Sequence, residues 1–386
     1  MRNSNWHQFF VCSVIGTTSF LPLLVLPAMV GVLVDEAGLS ESFAGWAASV
    51  NFFGVSAVAF LMAFQMHRIN LRQMAITTLA IALAADVISA YLAAPTAVFL
   101  LIRFITGSAN GAAQITALSA IARLDDAERG FGLLITLQFT VAALGCYILP
   151  VYSAELGATG MFLLFAACDL LALLLARHLP GKAIDKTTGT ELGSERNTLF
   201  SAVALLALLG YATFEAANTA QYTYLGRLGV ALAFSDNAIG TVLMIASLAG
   251  IPGAFTIIVV GKRFGTIGPL LFGIGIAILG LVILITSGAF AWYLAAGICL
   301  GFSWAFCLPF IQSLLASLDR NGSALAAGAA AAAIGVAVGP GLAATVVEVG
   351  NYQPVFLIAI ALMIVAITSF FVSIRKRHPT QVEVTL

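Results

Sequence analysis

The sequence predicts an all-α membrane protein of twelve transmembrane helices, built as two six-helix halves related by an internal repeat, with both termini cytoplasmic. Three observations lead there. Of 386 residues, 61% are hydrophobic and only 9% charged, with a mean hydropathy of +1.05. A soluble domain needs far more charge to cover its surface. Twelve apolar stretches each reach the ~20 residues that a spanning helix requires. Lys and Arg, finally, are confined almost entirely to alternate loops.

The stretches run at roughly 9–34, 43–64, 74–94, 97–121, 131–152, 158–177, 199–224, 238–260, 267–287, 290–316, 324–347 and 353–374. Short polar breaks separate them. Asp35-Glu36-Ala37-Gly38 closes the first, and Arg68-Ile69-Asn70-Leu71-Arg72 lies between the second and third. The longest break, Arg177 to Arg196, carries four Lys/Arg, three acids and several Gly, Ser and Thr. It divides the spans six and six and reads as a solvated linker. The expected organisation is an N-terminal bundle at 1–176, a cytoplasmic loop at 177–197, and a C-terminal bundle with a short tail at 198–386.

Fifteen of the seventeen Lys and Arg residues, from Arg2 to the Arg375-Lys376-Arg377 run, fall in one set of loops. Only Arg227 falls in the other, whose charges are otherwise acids: Asp35, Glu36, Glu41, Glu155 and Asp236. Cations resist translocation, so the basic loops belong on the cytoplasmic side. A multi-pass protein of the cytoplasmic (inner) membrane, N-in and C-in, is expected. The polar start Met1 to His7 leads into an apolar run too long for a signal-peptide core, with no small-residue cleavage site behind it.

Several classes are disfavoured. Zero net charge argues against nucleic-acid partners. The five cysteines stand singly in apolar runs and the four histidines in loops or tails, so neither disulfides nor a metal site are expected. No phosphate loop, G-x-S-x-G or H-E-x-x-H motif is present, and Gly261-Lys262-Arg263-Phe264-Gly265 reads as a cytoplasmic turn. No cofactor and no enzymatic activity are expected. The partners are a small-molecule substrate, protons and the bilayer.

The halves repeat in order. Gly107 and Gly111 precede Gly297 and Gly301 by 190 residues, as Gly145, Leu149 and Pro150 precede Gly335, Gly339 and Pro340. Ser40-Glu41-x-x-x-Gly45 and His67-Arg68-Ile69-Asn70 find counterparts 195 residues on, at Ser235-Asp236-x-x-x-Gly240 and Lys262-Arg263-Phe264-Gly265. Parallel six-helix repeats place a substrate site between them near the midplane, and transport rocks one half against the other.

Over nearly its whole length the chain resembles the major facilitator superfamily. Arg103-Phe104-Ile105-Thr106-Gly107, followed by Gly111-Ala112-Ala113, is similar to that family's fourth-helix motif R-x-x-q-G, with Thr106 at the Gln position. The resemblance implies proton coupling, a cavity lined by the fourth and seventh spans, and a monomer. Two departures stand out. The family's G-x-L-a-D-R-x-G-R-K loop motif is eroded: His67 takes the Asp position, Ala63 and Asn70 the glycines, and Leu71-Arg72 the Arg-Lys. The fifth-span antiporter motif is absent at Gly145 to Pro150, and a better copy, Gly335-x-x-x-Gly339-Pro340-Gly341, sits in the eleventh span.

Four ionisable residues lie within the spans: Asp86, Arg103, Asp169 and Glu215. Each costs about 2.5–3.5 kcal/mol at the centre of a span even on a lenient scale, which makes it a functional candidate. Arg103, Gly107, Asn110 and Gln114, spaced 4, 3 and 4, share a helix face. Tyr211, Glu215, Asn218 and Tyr222 repeat that spacing on the seventh span, with Gln221 and Tyr224 beside them. Arg103, Asn110, Gln114, Tyr211, Asn218, Tyr222, Tyr293 and Trp304 are the expected substrate-binding residues. Glu215 is the first candidate for the coupled proton, with Asp86 and Asp169 behind it, and an Arg103–Glu215 interaction is geometrically allowed. Asp86 reads equally as a structural partner of Arg103. As the sole buried cation, Arg103 favours an organic anion (a carboxylate) as the solute of a proton-coupled secondary transporter. Efflux of amphipathic or cationic compounds is the alternative, with a lipid-handling or receptor protein on the same fold as a second.

Overall fold

The computed structural model describes residues 4–65, 70–179, 201–260, 265–318 and 323–377. The central linker from 180, the turn at 261–264, and Arg2, Arg68 and Arg320 lie outside them. Fourteen helices and no strand occur among the described residues. They are α1 (Ser4–Ser19), α2 (Leu21–Leu24), α3 (Leu26–Asp35), α4 (Glu41–Gln65), α5 (Leu71–Leu92), α6 (Ala97–Ile121) and α7 (Ala127–Val151). The chain continues with α8 (Ser153–Ala176), α9 (Ala202–Ala231), α10 (Asp236–Val260), α11 (Ile267–Thr286), α12 (Phe290–Ala316), α13 (Ser323–Val346) and α14 (Gln353–Arg377).

From α4 onward, eleven helices are long and apolar enough to cross a membrane. The first predicted span is broken into α1, α2 and α3 instead. Pro22 and Pro27 stand in the first turns of α2 and α3, where a missing N–H costs nothing, so each proline starts a new helix. Gly38, at φ +66°, ends α3 in the left-handed conformation while Ala37 N donates to Val32 O and Leu39 N to Leu33 O. Side chains of Asn70 and Thr96 cap α5 and α6 by accepting from Gln73 N and Phe99 N. Large apolar side chains such as Leu101, Phe255 and Phe272 are more than half exposed, as suits helices whose outer solvent is lipid.

By packing, the chain forms two compact units. The first comprises Met1–Gly189 with Gly226–Met244, the second Thr190–Leu225 with Ile245–Leu386. In the first unit α5 packs between α6 and α8, and α4 lies along α6. Its core is rich in alanine (Ala75, Ala113, Ala117, Ala172, Ala176), which lets helices approach. At the tightest crossing a Cβ on Gly107 would stand 1.8 Å from the Asn51 carbonyl oxygen. The second unit repeats this: a Cβ on Gly301 would stand 1.9 Å from the Ala246 carbonyl oxygen. Asn51 and Ala246 are 195 residues apart, the offset read between the second and eighth spans, so Gly107 corresponds to Gly301. The fourth and tenth spans therefore align four residues from the register their glycines suggest, and Gly297 stands where the first unit has Arg103.

Candidate functional site

Each unit buries its own polar set. In the second unit it is carried by α9, whose apolar sequence is interrupted every turn by a polar residue on one face. Glu215 is 3% exposed, and its Oε2 accepts a 3.2 Å hydrogen bond from Trp304 Nε1 on α12. Among the described residues it makes no ion pair. Tyr211, one turn away, is buried and lies beside Gln312 of the same α12. Asn218 donates to Phe214 O in its own helix, and among the described residues neither its Oδ1 nor Gln221 Oε1 has a partner. Tyr222 is half-buried. Tyr293 is spent otherwise: its hydroxyl donates to Leu225 O at 2.9 Å and ties α12 to α9. The backbone of α13 comes down on the Glu215 turn at Gly335, where a Cβ would stand 2.2 Å from Ala212 O and 2.9 Å from Glu215 Cβ.

A buried carboxylate whose one polar side-chain partner is a neutral indole is a site in deficit. Desolvation of an ion that no charge compensates costs several kcal/mol. A proton on the carboxyl, or a cationic ligand beside it, removes that deficit.

In the first unit α6 carries Asn110 and Gln114, whose Oδ1 and Oε1 have no hydrogen-bond partner among the described residues. Ser13 and Thr17 on α1 and Asn51 on α4 are in the same condition. Gln114 reaches α1 at Gly16, where a Cβ would lie 3.4 Å from its Oε1. Five buried hydrogen-bonding groups are thus left open on α1, α4 and α6, a condition that a polar ligand or ordered water would relieve. The two hydroxyls were not legible beforehand, since a serine or threonine in a spanning helix more often turns back on its own carbonyls, as Ser19 does on Ile15 O.

Arg103 lies apart from those amides. It is 2% exposed, and its Nη2 donates to Asp86 Oδ1 at 2.6 Å, to Ser89 Oγ, and to Thr106 Oγ1 at 3.0 Å. Its guanidinium lies over the Phe162 ring, 4.6 Å from the centroid. Asp169 on α8 stands beside Asp86, close enough for the two carboxyls to interact directly. The structure thus brings Asp86, Arg103 and Asp169 into one cluster, separate from Asn110 and Gln114.

A second ionic group stands at the acid-rich end of the first unit. The sequence puts Arg227 in a loop beyond residue 224, but α9 continues to Ala231 and buries it. Its Nε donates to Glu41 Oε1 at 2.9 Å and its Nη1 to both Asp35 oxygens at 2.7 and 2.6 Å. Two carboxylates compensate the cation, which is why the helix runs on. Glu41 is 4% exposed and Asp35 45%, so solvent screens the second pair. Arg227→Gln is expected to lower stability by about 1.5–3 kcal/mol, the value of hydrogen bonds to a buried charge, and Asp35→Asn by less than about 1 kcal/mol. Thermal unfolding in detergent ranks the two. Equal losses would mean that the pair with Glu41 contributes nothing beyond the pair with Asp35.

The profile of the Major Facilitator Superfamily matches residues 9–327. No curated protein matches the sequence. Among solved structures, a mutant form of the nucleoside transporter NupG superposes with a TM-score of 0.79 at 14% identity, covering 95% of this chain and 99% of that one. A bacterial homolog of the human lysosomal transporter Spinster gives 0.73 at 14%, covering 97% and 98%. The peptide transporter POT gives 0.72 at 13%, covering 95% and 94%. At such identities the likeness is one of fold.

Proposed function

Because the chain belongs to the Major Facilitator Superfamily, we propose that it is a proton-coupled secondary transporter of a small organic solute, working by alternating access. One observation carries the reading: Glu215 is buried at a polar stripe, and among the described residues the Trp304 indole is its one polar side-chain partner. A carboxyl so placed can exchange a proton for a ligand, and a proton gradient then drives the solute. The charge asymmetry of the loops supports a cytoplasmic-membrane protein, N-in and C-in, with the Asp35–Glu41–Arg227 cluster on the outer side. A monomer with halves at 1–176 and 198–386 fits the same reading.

The substrate class turns on Arg103. The organic anion follows from Arg103 as the sole buried cation, whereas Arg227 is buried as well and the Arg103 guanidinium is matched by Asp86. That favours the second reading, efflux of amphipathic or cationic compounds with Glu215 as the counter-charge.

Substrate-driven proton flux in proteoliposomes, with organic anions and cations tested on wild type and Glu215→Gln, decides both points. We expect lipophilic cations to move protons in the sense opposite to their own movement, and the variant to lose this. Proton movement together with an anion would restore the carboxylate substrate. Coupling that survives in Glu215→Gln would remove Glu215 from the mechanism.

A further inference from the structure

The first unit contains a buried cluster that the transport reading does not use. Asp86 on α5, Arg103 on α6 and Asp169 on α8 are each 2% exposed. Two carboxyls and one guanidinium occupy an apolar interior, and Arg103 can balance only one negative charge. Among the described residues its partners are all on one nitrogen, Nη2, with none for Nε and Nη1, and Phe99 and Phe162 flank the group. The other charged or titratable group beside the cluster is the Cys168 thiol on α8. No further cation faces it among the described residues.

Asp86 and Asp169 also stand beside each other, close enough to interact directly, which adds a second constraint. Ionised carboxylates only accept hydrogen bonds, so two of them cannot bond to each other without a proton between them. Like charges that close do not both ionise in a desolvated site. Charge balance and the repulsion of neighbouring like charges therefore point to the same protonation state.

We propose that Asp86 and Asp169 share one proton, forming with Arg103 a charge-neutral proton-binding site in the first unit. Asp86 Oδ1 holds the negative charge against Arg103 Nη2, and the proton lies between an oxygen of Asp86 and one of Asp169. Asp169 Oδ2 remains free of partners. The site is independent of Glu215, and the protein thus carries a bound proton whether or not Glu215 is the coupling carboxyl.

Infrared spectroscopy of the purified protein at neutral pH reads it directly, through the carbonyl stretch of a protonated carboxyl group. Glu215→Gln serves as the background, since it removes the other candidate acid. The band is expected to persist in Glu215→Gln and to vanish when Asp169→Asn is added. Asp86→Asn in that background should also abolish it, because Asp169 must then ionise to balance Arg103. If Asp169→Asn does not fold, Asp169→Glu keeps the acid and should shift the band. No protonated band in Glu215→Gln, or a band that Asp169 and Asp86 substitutions leave unchanged, would overturn the proposal. A failure of Glu215 as proton carrier in the flux assay would leave it standing.

Discussion

Arg103→Leu is expected to destabilise the protein by about 3–5 kcal/mol, the usual result of removing one partner of a buried ion pair. The loss comes from what is left behind more than from the contact itself. Asp86 and Asp169 would remain in the interior of the first unit, 2% exposed, with no cation beside them. The hydroxyl contacts are minor by comparison, since side-chain hydrogen bonds between spanning helices average about 0.6 kcal/mol. Ser89→Ala should therefore cost well under a third of the arginine loss. A double-mutant cycle isolates the charge term. Asp86→Asn with Arg103→Gln removes both charges, keeps hydrogen-bonding side chains of similar size, and should recover most of the stability lost in either single variant. The melting temperature in detergent and the yield of monodisperse protein report it. Strictly additive losses would mean that Arg103 and Asp86 do not form the pair. The same double variant separates two roles for Arg103: if the arginine binds an anionic substrate, a stable double variant loses transport, and if it serves the cluster, transport persists.

The broad fold was legible because it follows from hydropathy and charge. A bilayer admits few alternatives to the spanning helix, so eleven apolar stretches became eleven long helices, most of them within a few residues of their expected bounds. The departures are local. Pro22 and Pro27 divide the first span, an effect set by backbone chemistry that a hydropathy window averages away. Arg227 looked like a loop residue because it is charged, but its partners Asp35 and Glu41 lie 192 and 186 residues earlier in the chain and no local pattern reveals them. The candidate residues were found by a simpler rule, that ionisable groups in apolar helices must have a reason. That rule selects Asp86, Arg103, Asp169 and Glu215 without saying which of them meet. Helical spacing puts Arg103 on the face of Asn110 and Gln114. Its long side chain instead reaches α5 and α8, because the carboxylates there attract it and the Phe162 ring accommodates its flat cation.

The second large effect concerns glycine. Gly107→Ala and Gly301→Ala are each expected to cost about 3 kcal/mol or more, at the upper end of overpacking losses. A methyl group at these positions would stand 1.8 Å from Asn51 O and 1.9 Å from Ala246 O, and to reach even 3.0 Å the paired helices must separate by more than 1 Å. The obstacle is a backbone carbonyl inside a helix, which cannot turn aside as a side-chain tip can. Flexible neighbours make other sites less severe: a Cβ on Gly16 would meet Leu134 Cδ1, the tip of a side chain, at 2.8 Å. Gly132 and Gly275 provide the control, for both lie in helices with nothing within 4 Å of a new methyl group. Alanine there should be neutral or stabilising by up to about 1 kcal/mol, from helix propensity alone. Melting temperatures of the four alanine variants should therefore fall into two well-separated pairs. Because Gly107 lies against the carbonyl of Asn51, whose amide oxygen is one of the open groups of the first unit, its substitution should also disturb any ligand held there. Gly107→Ala as stable as Gly132→Ala would mean that α4 and α6 do not cross as closely as their backbones stand in the structure, and the correspondence of Gly107 with Gly301 would fall with it.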